Sequence, residues 1–171
     1  MSNVITLLGY MGSGKTTYGK LLAERLGLDF IDLDDFIVEK SGMEIAEIFK
    51  IKGENWFRKI ETKYLEELIK RDNLILSLGG GTPMQNGNMN LINDFTESVY
   101  LKASVNTLYK YLKYNRSKRP IIKNLSDSEL KEFISKHLDE RLPFYSKAKL
   151  SVVTDSKSIE EVVEALSWIV K

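Results

Sequence analysis

The octapeptide GYMGSGKT, Gly9 to Thr16, follows an apolar β-branched run and precedes a helical pattern. It fits G-x-x-x-x-G-K-S/T, the phosphate-binding P-loop, and it has the required strand before and helix after. Glycines let the backbone curl so that several N–H groups point at phosphate oxygens, and the helix N-terminus adds partial positive charge. Lys15 would reach the outer phosphates, and the Thr16 hydroxyl suits Mg²⁺. The alternative is a glycine-rich strand-to-helix turn with a surface lysine. The implied anion is a nucleoside triphosphate. The loop names neither the reaction nor the acceptor, since switches, motors and small-molecule kinases all use it. The chain is short for a motor, and no guanine-reading N-K-x-D run is present.

The acceptor side begins at FIDLDDF, which carries Asp32, Asp34 and Asp35. Period 2 puts Asp32 and Asp34 on one side of an extended chain. One carboxylate could act through Mg²⁺ and its waters. The other could take a proton from an attacking hydroxyl. Aspartate also caps helices. Capping is the reading for Asp35 and chemistry the reading for Asp34. Further on, ENWFRKIE places Arg58 three residues before Glu61, on one helix face. This pair is either an exposed ion pair of little value or an arginine oriented to grip an anionic acceptor through its planar fork.

Gly79, Gly80 and Gly81 end an apolar run. Three glycines cost backbone entropy, which suits a close approach of backbone to ligand; a loose loop before Pro83 is the alternative. The run KYNRSKRPIIK holds Lys113, Arg116, Lys118, Arg119 and Lys123 without an acid. A solvated charge run, a nucleic-acid patch, or a mobile loop closing over ATP would each account for it. Arg119-Pro120 should break any helix there. Arg141, just before Pro143, reads as the end of a helix and a second cation for an acceptor pocket.

These residues need elements to hold them. Strand-like runs recur at Val4–Leu8, Phe30–Leu33, Leu74–Leu78, Val99–Leu101 and Leu150–Val153, with helical patterns between. Trp56, Phe57, Ile60, Tyr64, Leu65, Leu68 and Ile69 follow helical spacing, as do Ile159, Val162, Val163, Leu166 and Ile169. Ser126-x-x-Glu129 and Ser158-x-x-Glu161 are capping-box starts. Alternating strands and helices predict a mostly five-stranded parallel sheet covered on both faces, an α/β/α sandwich. Ligands bind at the carboxyl ends of such strands, where each motif above falls.

Composition narrows the classes. The chain has 171 residues, 25 Lys+Arg against 24 Asp+Glu, one histidine (His137) and no cysteine. A formal charge of +1 leaves no broad electrostatic footprint for nucleic acid. Disulfides, thiolate chemistry and multi-histidine metal sites are excluded. No apolar run approaches the roughly 20 residues that cross a bilayer, and the early first strand leaves no room for a signal peptide. A soluble cytoplasmic protein is expected.

Taken in order, the P-loop, DLD, GMEIAEIFKIKGENWFRKIE, GGGTP, RPII and ERLPFY resemble shikimate kinase over essentially the whole chain. The resemblance implies a P-loop fold of the nucleoside monophosphate kinase type, a single domain over residues 1–171 with an acceptor region around 34–61 and a lid around 113–124. It implies transfer of the ATP γ-phosphate to the 3-hydroxyl of shikimate, on the route to chorismate and the aromatic amino acids. Asp34, Arg58, Gly80 and Arg141 would contact shikimate, with Asp34 as base, Arg58 and Arg141 on the carboxylate, and Gly79 and Gly81 shaping the wall. Gly12, Ser13, Gly14, Lys15, Thr16 and Thr17 would cradle ATP. Thr16 would ligate Mg²⁺, with Asp32 supporting the ion through water, and Arg119 would be the lid arginine assisting Lys15 in catalysis. The adenine-side loop near Thr154 to Lys157 stays unassigned. The helical faces show no surplus apolar patch, so a monomer is expected. Gluconate kinase, adenylate kinase and a nucleotide-binding module without chemistry are the rivals.

Overall fold

Strand β1 (Val4–Leu8) is buried along its whole length, as expected where helices cover both faces of a parallel sheet. A computed structural model of the chain describes residues 4–85 and 87–169. The side chains of Lys118 and Ile169, and residues 1–3, 86, 170 and 171 of the expected 1–171 domain, lie outside the described set. Around β1 stand β2 (Asp29–Asp32), β3 (Leu74–Ser77), β4 (Glu97–Lys102) and β5 (Leu150–Val153), in the order β2-β3-β1-β4-β5, every pairing parallel.

Alternation along β1 divides the core. Ile5 and Leu7 join Ile75, Val99 and Leu101 under helices α1 (Lys15–Leu26) and α8 (Ile159–Ile169). Val4 and Leu8 join Leu74, Leu76 and Tyr100 on the other face. That face is covered by α2 (Leu33–Ser41), α3 (Ile45–Lys52), α4 (Glu54–Leu68), α5 (Asn88–Phe95), α6 (Val105–Asn115) and α7 (Asp127–Tyr145). This is the α/β/α sandwich that the strand spacing predicts. Among the described residues no helix is long and apolar enough to cross a membrane.

Both capping boxes form. In α7 the Ser126 side chain accepts from the Glu129 backbone while Glu129 reaches back to Ser126. Before α8, Ser158 and Glu161 exchange the same pair of bonds, at 2.7 and 3.2 Å. Two local expectations are corrected. Ile159 is half-exposed rather than part of the packed face of α8, which rests on Val162, Val163 and Leu166. Pro143 does not end α7. The helix runs on to Tyr145, because proline this close to a C-terminus forfeits only one intrahelical bond.

Candidate active site

The P-loop curls at the carboxyl end of β1. Gly12 and Gly14 have φ of 80° and 91°, and a Cβ on Gly14 would meet the Tyr18 ring at 2.4 Å, so only glycine fits. Lys15 donates to the carbonyls of Gly9 (2.9 Å) and Tyr10 (3.0 Å). Burial pulls its pKa down to about 8, against the attraction of Asp32 and Asp34. It therefore remains largely charged at neutral pH. Ser13 is buried beneath the loop and does not line the cavity, whereas Gly12, Gly14, Lys15, Thr16 and Thr17 do.

Asp32 is the junction between loop and acceptor side. Its Oδ2 accepts from Thr16 Oγ1 and Ser77 Oγ, both at 3.0 Å, and its Oδ1 accepts from the Asp34 backbone N–H at 3.1 Å. The last bond caps α2. The helix cap is therefore Asp32 and not Asp35, which sits exposed in the first turn. The cap also overturns the period-2 placement of Asp32 and Asp34: Asp34 is already helical, and the turn carries its carboxylate toward Gly79. A Cβ on Gly79 would lie 3.0 Å from Asp34 Oδ1. Burial pushes the Asp34 carboxyl up to about 6, helped by the Asp32 and Glu61 charges and opposed by Lys15 and Arg58.

Two adjoining cavities share Met11, Asp34, Gly79, Gly80 and Arg119 as walls. The first runs over the P-loop past Lys15, Thr16 and Asp32. The second, of about 400 Å³, lies among Arg58, Glu61, Arg141 and the apolar side chains of Ile45, Phe49 and Phe57. A cavity of this size suits a small ligand. None of residues 154–157 lines the first cavity. Instead Asp155 accepts from the Ser104 backbone and side chain and from the Thr107 hydroxyl, holding the N-terminus of α6.

Arg58 and Glu61 form no exposed surface pair. Glu61 is 1% exposed, pairs with Arg58 Nη1 at 2.9 Å, and accepts from Thr82 Oγ1 at 2.6 Å. Asn88, fully buried, donates to the Thr82 carbonyl and accepts from Thr62. The triple glycine has a reason the sequence left open. A Cβ on Gly79, Gly80 or Gly81 would press on Asp34 Oδ1 (3.0 Å), Arg141 Nη1 (2.8 Å) or Arg58 Nη2 (2.9 Å) respectively. Each glycine makes room for one polar side chain of the cavity.

The basic run divides. Lys113 lies in α6, inside the expected lid boundary, and pairs with Asp127 at 2.7 Å; Arg116 pairs with the same carboxylate at 3.0 Å and donates to the Leu125 carbonyl. These two cations fasten the segment to the start of α7. Of the described cations of the run Arg119 alone lines the cavities, joined in the second by Pro120 and Ile121, and no carboxylate stands in ion-pair distance of it among the described residues. No α-helix crosses Arg119-Pro120. No local pattern in the sequence singles out Thr82, Asn88 or Tyr145. GGGTP and ERLPFY contain two of them, but their partners are far away in the chain.

The oxygen donors of Thr16 and Asp32 fit a Mg²⁺ ion that keeps waters and phosphate oxygens for its remaining ligands. Among the described residues no group of three or more acidic or histidine side chains forms a complete protein cage.

A family model described as Shikimate kinase matches residues 11–169. A shikimate kinase of Flavobacterium johnsoniae is 46% identical over 162 residues, covering 94% of this chain and 94% of its own. The structure of shikimate kinase from Bacteroides thetaiotaomicron superposes with a TM-score of 0.92 at 36% identity, covering 98% of this chain and 97% of that one. A shikimate kinase from Acinetobacter baumannii, in complex with shikimate, superposes with a TM-score of 0.89 at 32% identity, covering 99% and 93%. The chain belongs to the shikimate kinase family.

Proposed function

We propose that this protein transfers the γ-phosphate of ATP to the 3-hydroxyl of shikimate, giving shikimate 3-phosphate and ADP, as a cytoplasmic monomer on the route to chorismate. The observation that carries the reading is the pair of adjoining cavities, one over the P-loop and one lined by arginines, with Asp34 and Arg119 in the shared wall. An acceptor hydroxyl beside Asp34 would face a γ-phosphate held by Lys15.

In this reading the backbone of Gly12 through Thr17 cradles the triphosphate, with N–H groups aimed at its oxygens. Arg58 and Arg141 hold the shikimate carboxylate, and Gly79, Gly80 and Gly81 shape the wall beneath the ring. Ile45, Phe49 and Phe57 supply apolar surface for the ring carbons. The hydroxyl oxygen attacks the γ-phosphorus in line, its proton passes to the Asp34 carboxylate, and the bond to the β–γ bridging oxygen breaks to release ADP. With an Asp34 pKa of about 6 the base is ionised at neutral pH yet close enough to it to accept a proton. Lys15 and Arg119 offset negative charge on the transferring group. Thr16 and, through water, Asp32 would hold Mg²⁺, which neutralises phosphate charge when bound. The segment from Lys113 to Asn124 acts as a lid around Arg119, closing to exclude water. Two of its cations are engaged by Asp127, which supports a small-molecule role over a nucleic-acid surface.

The test is ATP turnover on shikimate, gluconate and AMP, with the product read by NMR. Shikimate should be consumed and carry a single phosphate ester at the 3-position. Turnover of gluconate or AMP without turnover of shikimate would refute the proposal.

A further inference from the structure

Arg141, like Arg119, is a cation of the proposed acceptor cavity without an acidic partner. Among the described residues no carboxylate stands within ion-pair distance of it, and its Nε is buried without a hydrogen bond. Its guanidinium lies 5.6 Å over the Tyr10 ring, and Tyr10 is tied through its hydroxyl to His137 Nδ1 at 3.0 Å. One helical turn beyond Arg141, on the same face of α7, stands Tyr145. Tyr145 is fully buried, with its ring 5.2 Å from that of Tyr100 on β4. Its hydroxyl donates to the Gly80 carbonyl at 2.6 Å. A Cβ on Gly80 would lie 2.8 Å from Arg141 Nη1 and 3.5 Å from the Tyr145 hydroxyl, so the three groups meet at one point of the cavity wall.

We propose that Tyr145 is a positioning residue for the acceptor arginine: its hydroxyl occupies the Gly80 carbonyl and so leaves the Arg141 fork free for the substrate carboxylate. The inference rests on the reading that Arg141 binds that carboxylate. The part-buried Gly80 carbonyl takes its donor from the protein. Two donors are at hand, the phenol and the guanidinium. If the phenol is removed, Arg141, whose Nη1 packs against Gly80, takes over as donor, and satisfying Gly80 turns the guanidinium toward the wall. The phenol oxygen also interacts directly with the arginine. Burial pushes the Tyr145 phenol's pKa up, and the charge and hydrogen bond of Arg141 offset part of that rise.

The experiment is steady-state kinetics of Tyr145→Phe, which keeps the ring and its contact with Tyr100. The shikimate KM should rise about 10-fold, the order of one lost hydrogen bond plus a displaced partner. The kcat and the ATP KM should stay within about twofold, since buried hydrogen-bond losses act where the bond is made. In an Arg141→Ala background the same substitution should have no further effect on shikimate KM, because both changes act through one group. A purely structural role would instead lower the melting temperature and leave the shikimate KM unchanged, and that result overturns the proposal. So would an additive effect in the double variant. If Tyr145→Phe does not fold, Gly80→Ala provides the second arm: the added methyl displaces Arg141 Nη1 and should raise shikimate KM selectively, and an unchanged KM overturns the proposal. Failure of the underlying reading is distinguishable, since it would show as an unchanged shikimate KM in Arg141→Ala alone.

Discussion

The second cavity, the proposed acceptor site, has two cationic walls built on opposite principles. On the α4 wall, Arg58 is compensated before any ligand arrives: Glu61 holds it at 2.9 Å from a buried position, and Glu54 reaches it at 3.3 Å from solvent. On the α7 wall, Arg141 is held by aromatic neighbours and faces the cavity with its charge unmatched. Both guanidinium groups lie over an aromatic ring, Phe57 for Arg58 and Tyr10 for Arg141. The difference is in the acids alone. A paired arginine is stiff and correctly oriented but contributes little net field. An unpaired one contributes field and lower local stability. The α4 wall therefore supplies geometry, and the α7 wall supplies attraction for an anion.

The largest effect should come from Asp34, which lies between the two arginine walls. Asp34→Asn should lower kcat by about 10²–10⁴-fold, the usual reach of a general base. Shikimate KM should change far less, since the isosteric amide still hydrogen-bonds the ring hydroxyls. The pH profile carries the same information. The Asp34 carboxyl sits at about 6 against an ordinary 3.8. Activity that needs the ionised base should rise through about pH 6 in kcat/KM, and that limb should vanish in the variant. Stability runs the other way. Between 3.8 and about 6 the native state holds a proton that the unfolded chain has released, so stability falls as pH rises through that window. At pH 7 the variant should be more stable by up to ~3 kcal/mol, the cost of the displaced titration, measurable by denaturant unfolding. A less stable variant would mean the carboxylate is a structural anchor.

Next comes Arg58→Ala. Removing the arginine strands the Glu61 carboxylate, 1% exposed. Breaking a buried pair from one side costs about 3–5 kcal/mol. A large fall in melting temperature is expected, together with a weaker effect on shikimate affinity than on stability. Arg141→Ala should do the reverse. It strands no acid, so the melting temperature should hold, while shikimate KM rises about 10- to 150-fold, the loss of a charge-assisted hydrogen bond of 1.5–3 kcal/mol. Matching stability losses in the two arginine variants would break the comparison between the walls. The smallest effect belongs to Glu54→Gln. Glu54 is 62% exposed, so its pair with Arg58 is worth less than about 1 kcal/mol. Melting temperature and shikimate KM should both stay close to those of the parent; a loss as large as that of Arg58→Ala would move the orienting role from Glu61 to Glu54.

Local rules carried much of the architecture. β1 and its period-2 division of the core, the glycine turn at Gly12 and Gly14, and the boxes at Ser126 and Ser158 all obey interactions within a few residues, and all stand where their residues predicted. The fit of Gly9–Thr16 to a phosphate loop belongs to the same class. Local rules misled where two acceptable local roles competed. Asp32, Asp34 and Asp35 are each competent caps, and the choice fell to Asp32 because Ser77 and Thr16 hold its other oxygen.

What the sequence by itself determined is therefore the order of elements and the types of side chain delivered to the carboxyl edge of the sheet. Lys15, Asp34, Arg58, Arg119 and Arg141 are legible as candidates from their types and from the motifs around them. Only the tertiary structure decided which of these charges are compensated. Glu61 reads from its spacing to Arg58 as either half of a surface pair or an orienting acid, and burial with its contact to Thr82 makes it the second. Lys113 and Arg116 look like free lid cations until Asp127 arrives from the next helix. Arg141 looks like any helix arginine until Gly80, 61 positions earlier, is brought against it. The physical reason is that compensation depends on distances of a few ångströms between charges and on the dielectric around them, and neither quantity exists along the chain until the sheet has brought its loops together.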